Sequence, residues 1–325
     1  SRSRGIGRYS LSFVKSLIRN FSEHEYILFA NSSLYDSRMD FSEELQNRNL
    51  NVNYFNWFAP GPFNYEKKGR STIYNLAVQL RSYAIANLDS DLILITSFFE
   101  GSNDSCIIDF DKRYSLPPIL SILYDLIPLL NQKKYLDSNP DFKSFYFERI
   151  NYLNDLSGLL AISKSSLIEA KKYLNIDHDL IFNISSACDQ TLFKKNKIPK
   201  NNNPYYSEYL GEYILYTGAG DPRKNLLKLI EAYALLPSHL IAQHKLVLAG
   251  KLIPAEIQLL YECLYKFNLP KEYVVILGFV SDKELVELYS NCYLFIFPSL
   301  HEGFGLPVLE AMSCGAAVIG SDATS

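Results

Sequence analysis

The sequence has no CxxC pair, no histidine–cysteine spacing of the kind a metal site uses, and no apolar run near the roughly 18 residues of a membrane span. Its cysteines, Cys106, Cys188, Cys263, Cys292 and Cys314, are odd in number and scattered, which argues against a disulfide framework and fits reduced thiols in a cytoplasmic protein. The histidines are as dispersed as the cysteines, and no signal peptide is visible. Charge of one sign is not in excess: a net charge of −3 gives no case for a nucleic-acid partner. Local basic groups do occur, at Lys67, Lys68 and Arg70, at Lys133 and Lys134, and at Lys194, Lys195, Lys197 and Lys200. These read as solvated surface; the sharper alternative is a docking patch for anionic lipid, so contact with a membrane is expected only at its inner face and only peripherally.

What is present is a large apolar fraction, 48% over 325 residues, enough for two domains with full cores. From residue 212 onward apolar strands alternate with helical patterns. EYILYTG (212–218) precedes RKNLLKLIEAYALL, HKLVLAG (244–250) precedes PAEIQLLYECLYKF, and YVVILGF (273–279) precedes SDKELVELYSN. The last of these helices opens on Ser281 with Glu284 three residues on, a capping box. CYLFIFPS (292–299), LPVLEAMSC and AAVIGSD complete the series. Continuous apolar strands separated by helices predict a parallel sheet covered on both faces. The first half reads similarly but less regularly, with strands in EYILFAN, DLILITS (91–97), PPILSILYDL, LLAIS and DLIFNIS (179–185). KKNKIPKNNNPYYSEYLG, rich in Asn, Lys and Pro, reads as a linker. The expected fold class is α/β, with two Rossmann-like doubly wound domains facing a cleft: residues 1–195, a linker at 196–211, and residues 212–325. Both ends read as cut, because SRSRGIGRYS has no leading strand and VIGSDATS stops just after one.

Three loops carry polar or glycine-rich content. GIGRYS places Gly5 and Gly7 at a helix start, where backbone amides approach an anion; an ordinary turn is the bland alternative. TGAGDPRKN (217–225) starts like a dinucleotide fingerprint but has Arg223 where the third glycine belongs, so that fingerprint fails. Arg223 and Lys224 are left at a helix N-terminus, a pairing suited to a diphosphate. HEGFGLPVLEAM (301–312) brackets Gly303 and Gly305 between Glu302 and Glu310. Pro307 predicts a helix starting near Leu306. Glu302 then lies in the loop, and the carboxylate together with free amides suits a polyhydroxylated ligand. Glu310 reads equally as a ligand contact or as a favourable charge at the helix start.

HEGFGLPVLEAMSCGAAVIGSD is very similar to the signature of the GT4 (group 1) retaining glycosyltransferases of GT-B fold: Glu, seven residues, Glu, then E-A-M-x-C-G. YTGAGDPRKNLLKLIEAYALLP resembles that family's phosphate loop, and SRSRGIGRYS and ILYDLIPLL its N-terminal motifs. The resemblance implies that Lys224 and Arg223 hold the donor diphosphate. It gives the donor sugar to Glu302 and the amides of Gly303, Phe304, Gly305 and Leu306, and the ribose to Glu310. Gly5 and Gly7 would close on the diphosphate and acceptor, and Asp125 would face the sugar. Two positions depart from the pattern: Ala219 stands where many members have arginine, and Tyr124 where many have histidine.

The implied activity is transfer of a sugar, with retention, from a nucleotide diphosphate sugar to a hydroxyl of a glycan or lipid-linked glycan, in capsule or lipopolysaccharide synthesis. The donor is a substrate, and no cofactor is expected. The absence of a DxD-like acid pair fits a metal-independent reaction. The LYDLIPLL variant resembles mannosyl- or rhamnosyl-type members. A non-catalytic sugar-nucleotide-binding or scaffolding module, and a GT-B nucleotide-sugar epimerase or phosphorylase, stay open as alternatives.

Overall fold

The computed structural model describes residues 5–34, 36–59, 61, 72–102, 104–195 and 209–324. Lys67, Lys68, Arg70 and most of the expected linker, residues 196–208, lie outside the described residues. The chain divides into two compact units, Ser1–Ser185 and Ser186–Ser325. The division falls upstream of residue 195 because the intervening segment belongs to the second unit: Phe193, 2% exposed, packs with Leu210, Tyr289 and Phe295.

In the first unit, β1 (Tyr26–Asn31) pairs in parallel with β2 (Val52–Trp57), and β3 (Ile93–Ile95), β4 (Ile119–Leu123), β5 (Gly158–Ala161) and β6 (Ile181–Asn183) form a second parallel sheet in that order. β2 is absent from the sequence reading. Its residues, VNYFNW, are interrupted by asparagines, so no apolar run marks it; the strand is held by rings instead, with Phe29 stacked on Phe55 at 5.5 Å and on Trp57 at 6.0 Å.

The second unit is a single five-stranded parallel sheet built from β7 (Glu212–Thr217), β8 (His244–Ala249), β9 (Val274–Gly278), β10 (Leu294–Phe297) and β11 (Val318–Gly320). Its spatial order is β11-β10-β7-β8-β9. The chain runs outward from β7 through β8 to β9, then returns to the other side of β7 as β10 and β11. This is the Rossmann order, and the reversal between β7 and β10 opens a crevice at their carboxyl ends.

Both faces of this sheet are buried, as unbroken apolar strands require. Tyr213, Leu215, Val247, Phe295 and Phe297 face a core shared with the Asp282–Asn291 and Leu306–Ser313 helices. Their neighbours Ile214, Tyr216, Leu246 and Leu248 face the opposite core, with the Leu226–Ala234 and Pro254–Lys266 helices. The capping box read from the sequence is present: Glu284 accepts from the Ser281 backbone N–H at 2.7 Å, and Ser281 Oγ accepts from the Glu284 N–H at 3.4 Å.

The carboxyl ends of β7 and β8 nearly touch. A Cβ built on Gly250, whose φ is +149°, would lie 2.0 Å from the Gly218 carbonyl oxygen. That oxygen is backbone and cannot swing aside. Gly250→Ala is expected to cost about 3 kcal/mol or more, measured as a lower midpoint of urea unfolding at unchanged slope.

Candidate functional site

β7 ends at Thr217, and the loop after it is fastened from beneath. The Tyr216 hydroxyl donates to the Ala219 carbonyl at 2.9 Å. Burial, with Glu302 second, pushes the Tyr216 phenol well above its usual range, so it stays a proton donor. Next, the Asp221 side chain accepts from the Arg223 N–H at 2.8 Å and caps a short 3₁₀ turn, Pro222–Lys224. Asn225 follows in the left-handed region, φ 58°, and only then does the Leu226–Ala234 helix begin.

This corrects the sequence reading. Arg223 and Lys224 do not occupy the first turn of an α-helix; they project from the turn before it. The left-handed Asn225 breaks the apparent continuous helix RKNLLKLIEAYALL, a conformation that asparagine tolerates better than most residues.

The second part of the site comes from the end of β10. Gly305, φ 93° and ψ 42°, precedes the Leu306–Ser313 helix, with Pro307 in its first turn as expected. The left-handed geometry at Gly305 is the reason a glycine stands there. It turns the chain into the helix, and the Val308 N–H donates back to the Gly305 carbonyl at 2.9 Å. Glu302 lies in the preceding loop, its own N–H donating to Thr324 Oγ1 at 2.9 Å.

The two loops are locked together. The Leu300 N–H donates to the Arg223 carbonyl at 2.7 Å, and Arg223 Nη1 donates to the His301 carbonyl at 3.0 Å. Glu302 is held by both cations: Lys224 Nζ reaches Oε1 at 2.6 Å and Arg223 Nη1 reaches Oε2 at 2.9 Å. Lys224 also sits 4.9 Å from the centre of the Phe297 ring. The Lys224 and Glu302 side chains are 13% and 14% exposed, so their charges are only partly screened by water.

The electrostatics follow from two cations sharing one carboxylate. Burial alone would raise Glu302, but Lys224 and Arg223 outweigh it and hold the carboxyl below its ordinary range. Burial lowers Lys224, Glu302 opposes that, and Arg223 adds to the lowering, leaving the ammonium below its usual value. The result is an ionised carboxylate beside a lysine whose charge is already costly, at the carboxyl ends of two strands that flank a topological switch point. That arrangement is chemically suited to anions and polyhydroxylated ligands, since cations attract negative charge and a carboxylate accepts from hydroxyls.

Glu310 is buried, at 2% exposed, on the inner side of its helix. It lies beyond the first turn, so the reading of it as a helix-start charge fails on geometry. Its Oε2 accepts from the Tyr289 hydroxyl at 3.4 Å, and that hydroxyl lies 3.0 Å from Thr217 Oγ1. Neither Tyr216 nor Tyr289 was singled out in the sequence. For Tyr216 the available signal was a tyrosine inside an otherwise apolar run, since a buried phenol needs a partner; Tyr289 stands among charged and polar neighbours and carried no such signal.

Gly5, Gly7 and Asp125 belong to the first unit. Gly5 opens the Gly5–Asn20 helix, and a Cβ there would meet nothing within 4 Å. Asp125 follows β4, and its Oδ1 accepts from the Ile127 N–H at 3.0 Å. Tyr124 binds back into the unit: its hydroxyl lies 2.9 Å from the Thr96 carbonyl and 2.7 Å from Ser10 Oγ, tying the Gly5–Asn20 helix to the ends of β3 and β4. Thus the structure joins Arg223, Lys224 and Glu302 directly, has Gly303 to Leu306 follow Glu302 along the loop, turns Glu310 inward to Tyr289 in the same unit, and keeps Gly5, Gly7 and Asp125 in the other. Among the described residues no helix is long and apolar enough to cross a membrane.

Known proteins resemble this chain along its length. The family model described as glycosyl transferases group 1 matches residues 199–325. The serotype-specific mannosyltransferase WbdA of Escherichia coli is 35% identical over 335 residues, covering 100% of this chain and 39% of that protein. O-antigen chain mannosyltransferase B of Escherichia coli is 35% identical over 170 residues, 51% of this chain and 44% of that protein. The chain therefore spans about two fifths of the length of the curated relatives it matches. Among solved structures, Anabaena HepE in complex with UDP and glucose aligns with a TM-score of 0.63 at 19% identity, covering 97% of this chain and 77% of that one. WaaG, a glycosyltransferase involved in lipopolysaccharide biosynthesis, aligns with a TM-score of 0.60 at 14% identity, covering 98% and 78%. These two share the GT-B fold with this chain.

Proposed function

Residues 199–325 belong to the group 1 glycosyl transferases, and from that premise we propose that the chain moves a sugar, with retention, from a nucleotide diphosphate sugar to a hydroxyl of a surface-glycan acceptor. The observation that carries the proposal is the joining of Lys224 and Arg223 to Glu302 across the ends of β7 and β10. A departing diphosphate develops charge where the two cations stand. Fixed cations stabilise that charge without reorganising at the moment of reaction. Glu302 accepts from donor-sugar hydroxyls, the amides of Gly303 to Leu306 donate to sugar and phosphate oxygens, and Glu310 accepts from the ribose. Asp125, with Gly5 and Gly7, serves the sugar and acceptor side.

The sugar we assign is mannose, because WbdA and O-antigen chain mannosyltransferase B are mannosyltransferases and the first of them matches along this whole chain. Retention is assigned to same-face attack assisted by the leaving phosphate, with no covalent glycosyl–enzyme species. The acceptor is a glycan or lipid-linked glycan, and the reaction runs at the cytoplasmic face of a membrane.

A panel of nucleotide diphosphate sugars, incubated with a mannose-terminated oligosaccharide and read as released nucleotide, tests the reading. A mannose donor should give acceptor-dependent release. Release equal with and without acceptor, or turnover of the donor to its epimer, would remove the transferase assignment.

A further inference from the structure

Three buried polar side chains from three elements form a line through the apolar core under the proposed site. Thr217 is the last residue of β7, Tyr289 lies on the Asp282–Asn291 helix, and Glu310 lies on the Leu306–Ser313 helix. Their exposures are 6%, 0% and 2%. Tyr289 has one hydroxyl proton. If it donates that proton to Glu310 Oε2, at 3.4 Å, its oxygen must accept from Thr217 Oγ1, at 3.0 Å. The donors then run in one direction, from the strand that launches the phosphate loop to the carboxylate on the helix behind Glu302.

Core packing alone does not call for this arrangement. Tyr289 packs edge-on against Phe295 at 5.2 Å and is surrounded by apolar residues, an environment a phenylalanine ring would fill as well. Burying the hydroxyl needs partners, and the two it has belong to the last residue of β7 and to the helix that follows the Glu302 loop. The Asp282–Asn291 helix is itself pinned to the sheet, because the Tyr213 hydroxyl donates to the Leu288 carbonyl at 2.9 Å. Tyr289 therefore offers Glu310 a donor at a fixed place.

We infer that Tyr289 is a positioning residue: through the Thr217–Tyr289–Glu310 line it holds the Glu310 carboxylate in the orientation that accepts from the donor ribose, and it sets that orientation by the end of β7. This rests on the reading of Glu310 as the ribose contact.

The test measures binding of three probes to the intact chain by calorimetry: GDP, 2′,3′-dideoxy-GDP and inorganic pyrophosphate, with the uridine series in parallel. The unsubstituted protein should prefer the ribonucleotide over the dideoxynucleotide, and Glu310→Gln should abolish the preference. Tyr289→Phe, which keeps the ring, is expected to cut ribonucleotide affinity about tenfold, the usual scale for a lost hydrogen bond to a charged group. Dideoxynucleotide and pyrophosphate affinities should stay within about twofold. Thr217→Val, which leaves the phenol its proton but removes the donor behind it, should give a smaller loss of the same kind, about threefold; it serves also if Tyr289→Phe does not fold. Equal weakening of all three probes by Tyr289→Phe would mark a merely structural residue and overturn the inference, as would a ribose preference that survives the substitution. If the unsubstituted protein shows no ribose preference, or Glu310→Gln keeps it, the ribose reading of Glu310 itself fails and takes the inference with it.

Discussion

Lys224→Ala is expected to lower the turnover number by about 10²–10³-fold, the scale on which removal of one preorganised charge stabiliser slows a reaction. The ammonium stands 2.6 Å from Glu302 and is held in place by Phe297 on one side and the loop after β10 on the other, so its position costs nothing to assemble during the reaction. Arg223 remains and keeps part of the effect, because its guanidinium is fixed separately by the His301 carbonyl and by Glu302. Lys224→Arg should recover only a fraction of the rate. A planar guanidinium does not deliver a point charge at the same spot. Steady-state release of nucleotide, alongside a thermal melt to confirm that the fold survives, measures the effect. A rate within threefold of the parent protein would place Lys224 away from the leaving group.

Glu302→Gln is expected to move binding and rate in opposite directions. The amide keeps the shape but loses the charge that both cations share. With that charge gone, inorganic pyrophosphate should bind about tenfold tighter, since one ion pair no longer competes with it. Turnover should fall about 10²-fold, because a carboxylate that accepts from sugar hydroxyls has become a weaker acceptor. The experiment belongs near neutral pH. Removing Glu302 takes away the influence that raises Lys224, whose pKa burial already lowers, so alkaline conditions would discharge the amine. General damage to the fold would weaken anion binding and turnover together, and so the divergence is the diagnostic result. Pyrophosphate affinity unchanged within twofold would mean that the carboxylate does not govern the cations.

The second unit was largely legible in the sequence because its central strands, β7 and β8, are buried on both faces. An unbroken apolar run between turn residues has few other ways to fold, and the capping box at Ser281 and Glu284 and the proline at 307 marked helix starts that the structure keeps. Glu302, Arg223 and Lys224 were legible for a related reason: charges placed directly after buried strands stand out. What the sequence hid was local geometry. The left-handed turn at Asn225 looks like helix to any periodicity argument, because Leu226, Leu229 and Ile230 continue the apolar pattern without a break. The strand VNYFNW was hidden by its asparagines, Asn53 and Asn56, both of them exposed. The line from Thr217 to Glu310 joins residues 72 and 21 positions apart, and no local pattern announces a hydrogen bond at that range.

Tyr216 and Tyr289 lie on opposite sides of the same sheet, one steadying the Ala219 carbonyl and the other joined to Thr217. The loop that carries the two cations is thus stayed from both faces of the sheet, by a strand tyrosine on one side and a helix tyrosine on the other, like a mast stayed fore and aft. Substitutions deep in either layer have a mechanical path to those charges, and can shift them without touching either one.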